Sequence, residues 1–211
     1  MPNLQIFPSL LSADFGKLQS EIDRFEPYVE GFHFDVMDGH FVPNLTMGAP
    51  VLKSLHTKTL FDVHLMVEHP EEYVEDFQKA GAKMISFHVE AAKENSSNAL
   101  IQQIQNLGMK AGIVLKPKTP CSEVESFLDA IDFVMIMSVE PGYSGQKFMP
   151  EVLPKIREIR EKYPEMDIEV DGGINDETVR EVVEAGANMI VSASYLFGAK
   201  NGEEAVRSLR L

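Results

Sequence analysis

The sequence has no tryptophan and a single cysteine, Cys121, so no internal disulfide can form. A lone thiol fits a reducing compartment, and a cytoplasmic location is the expectation. No run approaches the ~20 apolar residues of a membrane span. Met1–Ile6 carries neither a basic n-region nor a long apolar h-region, so no secretory signal is expected there. Positive charge is scarce: 19 Lys and Arg stand against 33 Asp and Glu, for a formal net charge of −14. Such a surface repels nucleic acid and anionic lipid, and neither is an expected partner. It also repels a phosphorylated small molecule at long range. A phosphate site must then use local donors, such as backbone N–H groups at a helix start, or a bound cation. No low-complexity segment or Pro/Ser-rich linker divides the 211 residues, so one domain over 1–211 is expected.

What the chain does have is alternation. Eight short apolar runs, at 5–10, 31–37, 60–66, 84–89, 111–115, 133–139, 167–170 and 189–193, are rich in Val, Ile, Phe or Met and read as buried strands. Amphipathic segments follow them, at 14–25, 50–56, 70–80, 98–107, 122–130, 150–163, 176–185 and 203–209. Val152, Leu153, Ile156 and Ile159 show the helical spacing, and Gly108 and Gly186 stand where helices stop. Strand then helix, eight times over, predicts an α/β protein: a single-domain (β/α)8 TIM barrel. The competing open doubly wound sheet would carry a Gly-rich turn after its first strand. Here that turn is Pro8-Ser9-Leu10-Leu11-Ser12.

In a barrel, reacting groups gather at the C-terminal ends of strands. His33 and Asp35 are two apart near one such end and share a face. His64 stands near the end of the third run, and Asp171 directly follows the seventh. Any one of these alone reads as a buried, hydrogen-bonded polar residue. Together, two imidazoles and two carboxylates form a site for one divalent metal ion of borderline softness (Zn, Fe(II), Mn or Co), and the spacing does not choose among them. His56 and His69 read as solvated, His40 as a loop residue open to a positioning role, and His88 as lining the mouth, in contact with substrate or supporting a residue that holds the metal. Gly142-Tyr143-Ser144-Gly145 and Gly172-Gly173 lie where glycine lets backbone N–H groups approach a phosphate. Ala193 and Ser194 stand where a short helix would begin. Most of the 11 methionines read as core fill. Met37, Met66 and Met137 end runs at the same face and either fill gaps or form a polarizable lid.

These residues carry a resemblance. The block His33-Phe34-Asp35-Val36-Met37-Asp38-Gly39-His40-Phe41-Val42-Pro43-Asn44, with segments 8–15, 62–67, 137–142, 145–148 and 169–174, resembles the ribulose-phosphate 3-epimerase family over essentially the whole chain. The resemblance implies a barrel of the ribulose-phosphate binding type that interconverts D-ribulose 5-phosphate and D-xylulose 5-phosphate through an enediolate. It implies one divalent metal held by His33, Asp35, His64 and Asp171, with Asp35 and Asp171 as proton acceptor and donor. Substrate contacts would come from Ser9, His64, Gly142, Tyr143, Ser144, Gly145, Gly172, Gly173, Ala193 and Ser194. Met37, Met66 and Met137 would surround the intermediate. The implied partner is a small-molecule sugar phosphate, and the implied assembly a homo-oligomer.

Three departures stand out. Thr46-Met47-Gly48-Ala49 replaces the family's usual Thr-Phe-Gly-Pro, Gly142-Tyr143-Ser144-Gly145 its Gly-Phe-Gly-Gly, and Ala193-Ser194 its Gly-Ser. They bear on substrate length, so a hexulose 6-phosphate such as allulose 6-phosphate is the alternative substrate. A related lyase such as hexulose-phosphate synthase would carry Asp-x-Lys-x-x-Asp after the third strand; Asp62-Val63-His64-Leu65-Met66-Val67 lacks the Lys and the second Asp. A non-catalytic sugar-phosphate sensor would have no use for all four metal-site residues.

Overall fold

The computed structural model describes residues 3–92 and 94–210, with the backbone alone at 94 and 95. Met1 and Pro2, part of the segment read for a secretory signal, lie outside the described residues. Among the described residues, eight strands run in the expected order: β1 (Gln5–Pro8), β2 (Gly31–Met37), β3 (Leu60–Met66), β4 (Met84–His88), β5 (Lys110–Leu115), β6 (Phe133–Met137), β7 (Asp167–Asp171) and β8 (Met189–Ser192). The helices are α1 (Leu18–Phe25), α2 (Ala49–Lys53), α3 (Val74–Ala80), α4 (Glu94–Asn106), α5 (Leu153–Lys162), α6 (Thr178–Ala185), α7 (Ser194–Phe197) and α8 (Gly202–Ser208). None of the described helices is long and apolar enough to cross a membrane.

All ladders are parallel, in the order β1-β8-β7-β6-β5-β4-β3-β2. β1 and β2 therefore end the ladder, and they meet along a seam that nearly closes the barrel. A single parallel bridge joins Ser9 to His33. Below it, Glu30 N–H donates to the Ile6 carbonyl at 3.4 Å, and the Glu30 carboxylate accepts from Ile6 N–H at 2.9 Å.

Strands covered on both faces must be buried at almost every position, and β2 is buried at all seven. Phe32, Phe34 and Val36 join the main core with Ile22 and Phe25 of α1 and Phe77 of α3. The alternate residues fill the barrel. Phe7, Met84, Phe133 and Met189 form an apolar plug at its base.

One expected helix is absent. Segment 122–130 forms a 3-10 turn at Cys121–Glu123 and a run of further turns. The amides of Val124, Phe127 and Ala130 donate to the carbonyls of Cys121, Val124 and Phe127. The buried residues Cys121, Val124 and Phe127 recur every three positions, the repeat of a 3-10 helix, so one face points inward without α geometry.

Candidate active site

β2 and β3 pair with His33 opposite Asp62 and Asp35 opposite His64. That register stacks four polar side chains in two layers above the apolar plug. One ligand atom each from His33, Asp35, His64 and Asp171 lies within 4.8 Å of the others. His64 Nδ1 is 3.2 Å from Asp35 Oδ1 and 4.0 Å from Asp171 Oδ2. Ser9 donates its hydroxyl to Asp35 Oδ2 at 2.6 Å.

His33 Nδ1 is 2.6 Å from Asp62 Oδ2. An ionised carboxylate only accepts, so Nδ1 carries the proton and Nε2 faces the cluster. Nε2 is buried without a hydrogen-bond partner, 3.4 Å from Asp35 Oδ1. A buried polar atom left this way is costly, and the surrounding set of two imidazoles and two carboxylates suits a divalent cation. The electrostatics agree. Burial opposes a charge on His33, yet Asp35 and Asp62 raise its pKa well above the usual value. These carboxylates call for positive charge, which a divalent cation would supply.

The two carboxyls nearest the mouth are driven apart. Burial disfavours the ionised form of Asp35, but His33 and His64 outweigh it and hold the group well below the usual carboxylate range. Burial, reinforced by the charge on Asp35, pushes Asp171 up to about 6. Deeper still, Glu169 lies 3.8 Å from His33 Nδ1; burial first, and Asp62 next, raise its carboxyl well above the usual range.

A pocket opens over Asp35 and Asp171. Its lining includes Ser9, Met37, Met66, Met137, Gly142, Tyr143, Ser144, Gly145, Gly172, Gly173, Ala193 and Ser194. Of the residues assigned from sequence to the metal, the substrate or the methionine lid, only His33 and His64 do not line it; both are fully buried beneath. Among the described residues no Lys or Arg lines the pocket, in keeping with backbone donors for a phosphate. The glycine pair also has a packing role. Gly173 has φ +68°, and a Cβ there would sit 2.4 Å from the Phe148 nitrogen; one on Gly172, at φ +121°, would sit 2.5 Å from the Val139 side chain.

His40, His56 and His69 are exposed. Of the places open to His88, the structure gives the supporting one: it is fully buried behind His64, Nε2 to Nε2 at 2.9 Å, and does not line the mouth. Sequence reasoning passed over Asp62, Glu90 and Glu169. The signal for Glu169 was the acid at every second position, Asp167, Glu169 and Asp171, on one face of a strand.

Known proteins give the site its context. The ribulose-phosphate 3 epimerase family model matches residues 5–197. The cytoplasmic isoform of ribulose-phosphate 3-epimerase from Oryza sativa subsp. japonica is 49% identical over 212 residues, covering 98% of this chain and 92% of that one. The ribulose-phosphate 3-epimerase of Bacillus subtilis (strain 168) is 43% identical over 215 residues, covering 98% of each. Among solved structures, 3-hexulose-6-phosphate synthase aligns with a TM-score of 0.73 at 17% identity, covering 99% of this chain and 98% of the other. Orotidine 5'-monophosphate decarboxylase from Sulfolobus solfataricus aligns at 0.69 and 12%, covering 99% and 96%. At those identities the likeness is one of fold. A family match spanning all eight strands, with relatives above 40% identity over nearly their full length, decides the matter: the chain belongs to the ribulose-phosphate 3-epimerase family and is an epimerase.

Proposed function

We propose that the protein interconverts D-ribulose 5-phosphate and D-xylulose 5-phosphate by metal-dependent, two-base proton transfer at C3. The observation that carries this reading is the convergence of two carboxyls and two imidazoles within 4.8 Å at the floor of one pocket. A hydrogen next to a ketone is a weak acid, so the enediolate needs both a base and charge stabilisation. Asp35, ionised and oriented by the Ser9 hydroxyl, takes the C3 proton. Asp171, protonated, returns one to C3 on the opposite face. Their roles exchange in the reverse direction, and the pair titrates as a unit. His33, Asp35, His64 and Asp171 would hold a divalent cation, which would supply positive charge against the developing oxyanion.

The remaining contacts follow from the pocket lining. Met37, Met66 and Met137 give the planar intermediate an apolar, polarizable surface and exclude water. Backbone N–H groups of segments 142–145, 172–173 and 193–194 bind the phosphate. A cytoplasmic setting, the compartment in the rice relative's name, suits the lone buried thiol Cys121. The homo-oligomer belongs to the same proposal, and sedimentation of the full chain measures it.

The test is NMR in D2O with D-ribulose 5-phosphate. D-Xylulose 5-phosphate should appear with a solvent deuteron at C3. Chelation should stop the reaction and Mn(II), Co(II) or Zn(II) restore it. No exchange at C3 by folded, metal-loaded protein would sink the reading. Faster turnover of allulose 6-phosphate would move the substrate to the hexulose series.

A further inference from the structure

Asp35 is held twice: its carboxylate by Ser9, and its main chain by a second hydroxyl that the mechanism above does not use. β2 ends the ladder, so beyond the single bridge from Ser9 to His33 only β3 pairs with it along a strand. The chain then turns back on β2. Asp38 shapes the turn, its Oδ1 accepting the N–H groups of His40 at 2.8 Å and Phe41 at 2.9 Å. Asp38 Oδ2 accepts the Glu68 N–H at 2.8 Å, which ties the turn to the chain just after β3. Leu45 bridges Asp38 antiparallel, and Thr46 comes to lie against the end of β2. The Thr46 hydroxyl donates to the Asp35 carbonyl at 2.7 Å and accepts the Met37 N–H at 2.9 Å. Its own N–H donates to the Met37 carbonyl at 3.3 Å. These directions are fixed by the groups themselves, since a carbonyl only accepts and an amide N–H only donates. Thr46 is partly buried and does not line the pocket.

We propose that Thr46 is a positioning residue that stands in for the strand β2 lacks and fixes the Asp35 carboxyl and the Met37 side chain relative to C3 of the substrate. The inference rests on the reading of Asp35 as the base. In a parallel ladder, one residue donates to a carbonyl of its neighbour strand and accepts from the N–H two residues further on. The Thr46 hydroxyl reproduces that pair of bonds on Asp35 and Met37. Without it, the strand end that carries the base would be held along one edge only. Proton transfer needs the base in line with the C3 hydrogen, and a displacement of about 1 Å costs on the order of 100-fold in rate. Grip on the phosphate has no such dependence, because the groups assigned to it follow β6, β7 and β8. Loss of the hydroxyl should therefore fall on kcat and leave KM alone.

The experiment measures kcat, KM and melting temperature for full-length, metal-loaded Thr46→Val, Thr46→Ala and Thr46→Ser with D-ribulose 5-phosphate, on protein shown folded by circular dichroism. Valine keeps the shape of threonine and lacks the hydroxyl. Thr46→Val and Thr46→Ala should each lose about 10- to 100-fold in kcat, with KM within about twofold of the wild type. Thr46→Ser keeps the oxygen and should stay within about threefold of wild-type kcat. A role in stability alone gives a different pattern: a lower melting temperature with wild-type kcat in the folded protein. That pattern in Thr46→Val, or a loss confined to KM, overturns the proposal. So does a Thr46→Ser variant as impaired as Thr46→Val. A crystal structure of the wild type with a substrate analogue needs no variant to fold, and Thr46 Oγ1 beyond hydrogen-bond reach of the Asp35 carbonyl there also overturns the proposal. Wild type that shows no exchange at C3 sinks the reading of function, and the role of Thr46 with it. An active wild type beside an unimpaired Thr46→Val overturns the positioning role alone.

Discussion

Asp35 has both carboxylate oxygens engaged: Oδ2 accepts from Ser9, and Oδ1 faces His33 and His64. Asp171 is only partly buried and opens onto the pocket. Asn at either position keeps the shape and removes the proton-transfer group. Turnover of D-ribulose 5-phosphate should fall by at least about 10²–10⁴-fold in Asp35→Asn and in Asp171→Asn, with the circular dichroism of the wild type. A variant that keeps near wild-type turnover removes its residue from the acid–base pair. The four clustered side chains were legible because each stands at or near a strand end, and two share an i, i+2 face. Asp62 was not legible as a partner of His33. That contact depends on the β2–β3 register, and register is set by pairing across the sheet rather than by local sequence.

At the scale of elements, strand positions read well because burial on both faces leaves short Val- and Phe-rich runs. Segment 122–130 read as α because Val124, Phe127 and Leu128 stand at i, i+3 and i+4; Cys121, Val124 and Phe127 fit the 3.0 repeat as well, and the hydrogen bonds decide for it. The β1–β2 seam was illegible, since its strength comes from side chains distant in sequence. Arg210, near the chain's end, pairs with Glu30 at 2.9 Å while Glu30 receives the Ile6 amide. Glu30→Ala removes the acceptor for a strand N–H at the one joint, among the described strands, without a continuous ladder. The pair is about one-third exposed, so its charge is screened. The loss should be about 1 kcal/mol, seen as a melting point lower by about 2–4 °C for a chain of this size. An unchanged melting point would show that the Ser9–His33 bridge and core packing close the barrel by themselves.

For the whole molecule, the response to acid is a contest among buried groups. Burial above all holds the pKa of His88 down to about 4, against ~6.5 in an unfolded chain. Between those values the unfolded state takes up a proton at position 88 and the folded state does not, so this group's stabilising contribution is complete above ~6.5 and drains away as pH falls toward about 4. Asp171 works in the opposite sense. Its folded value of about 6 exceeds the unfolded one, so it adds stability as pH falls through that range. Fewer ionised carboxylates also relieve self-repulsion in a chain of net charge −14. A single stability curve therefore cannot isolate His88, but a difference curve can. The stability of the wild type minus that of His88→Gln should shrink steadily from pH 6.5 to pH 4 in urea unfolding. A bound cation would keep this sign, because positive charge beside His64 disfavours protonation of His88 still further. A difference that stays flat or widens toward acid would mean that His88 already carries its second proton in the folded barrel.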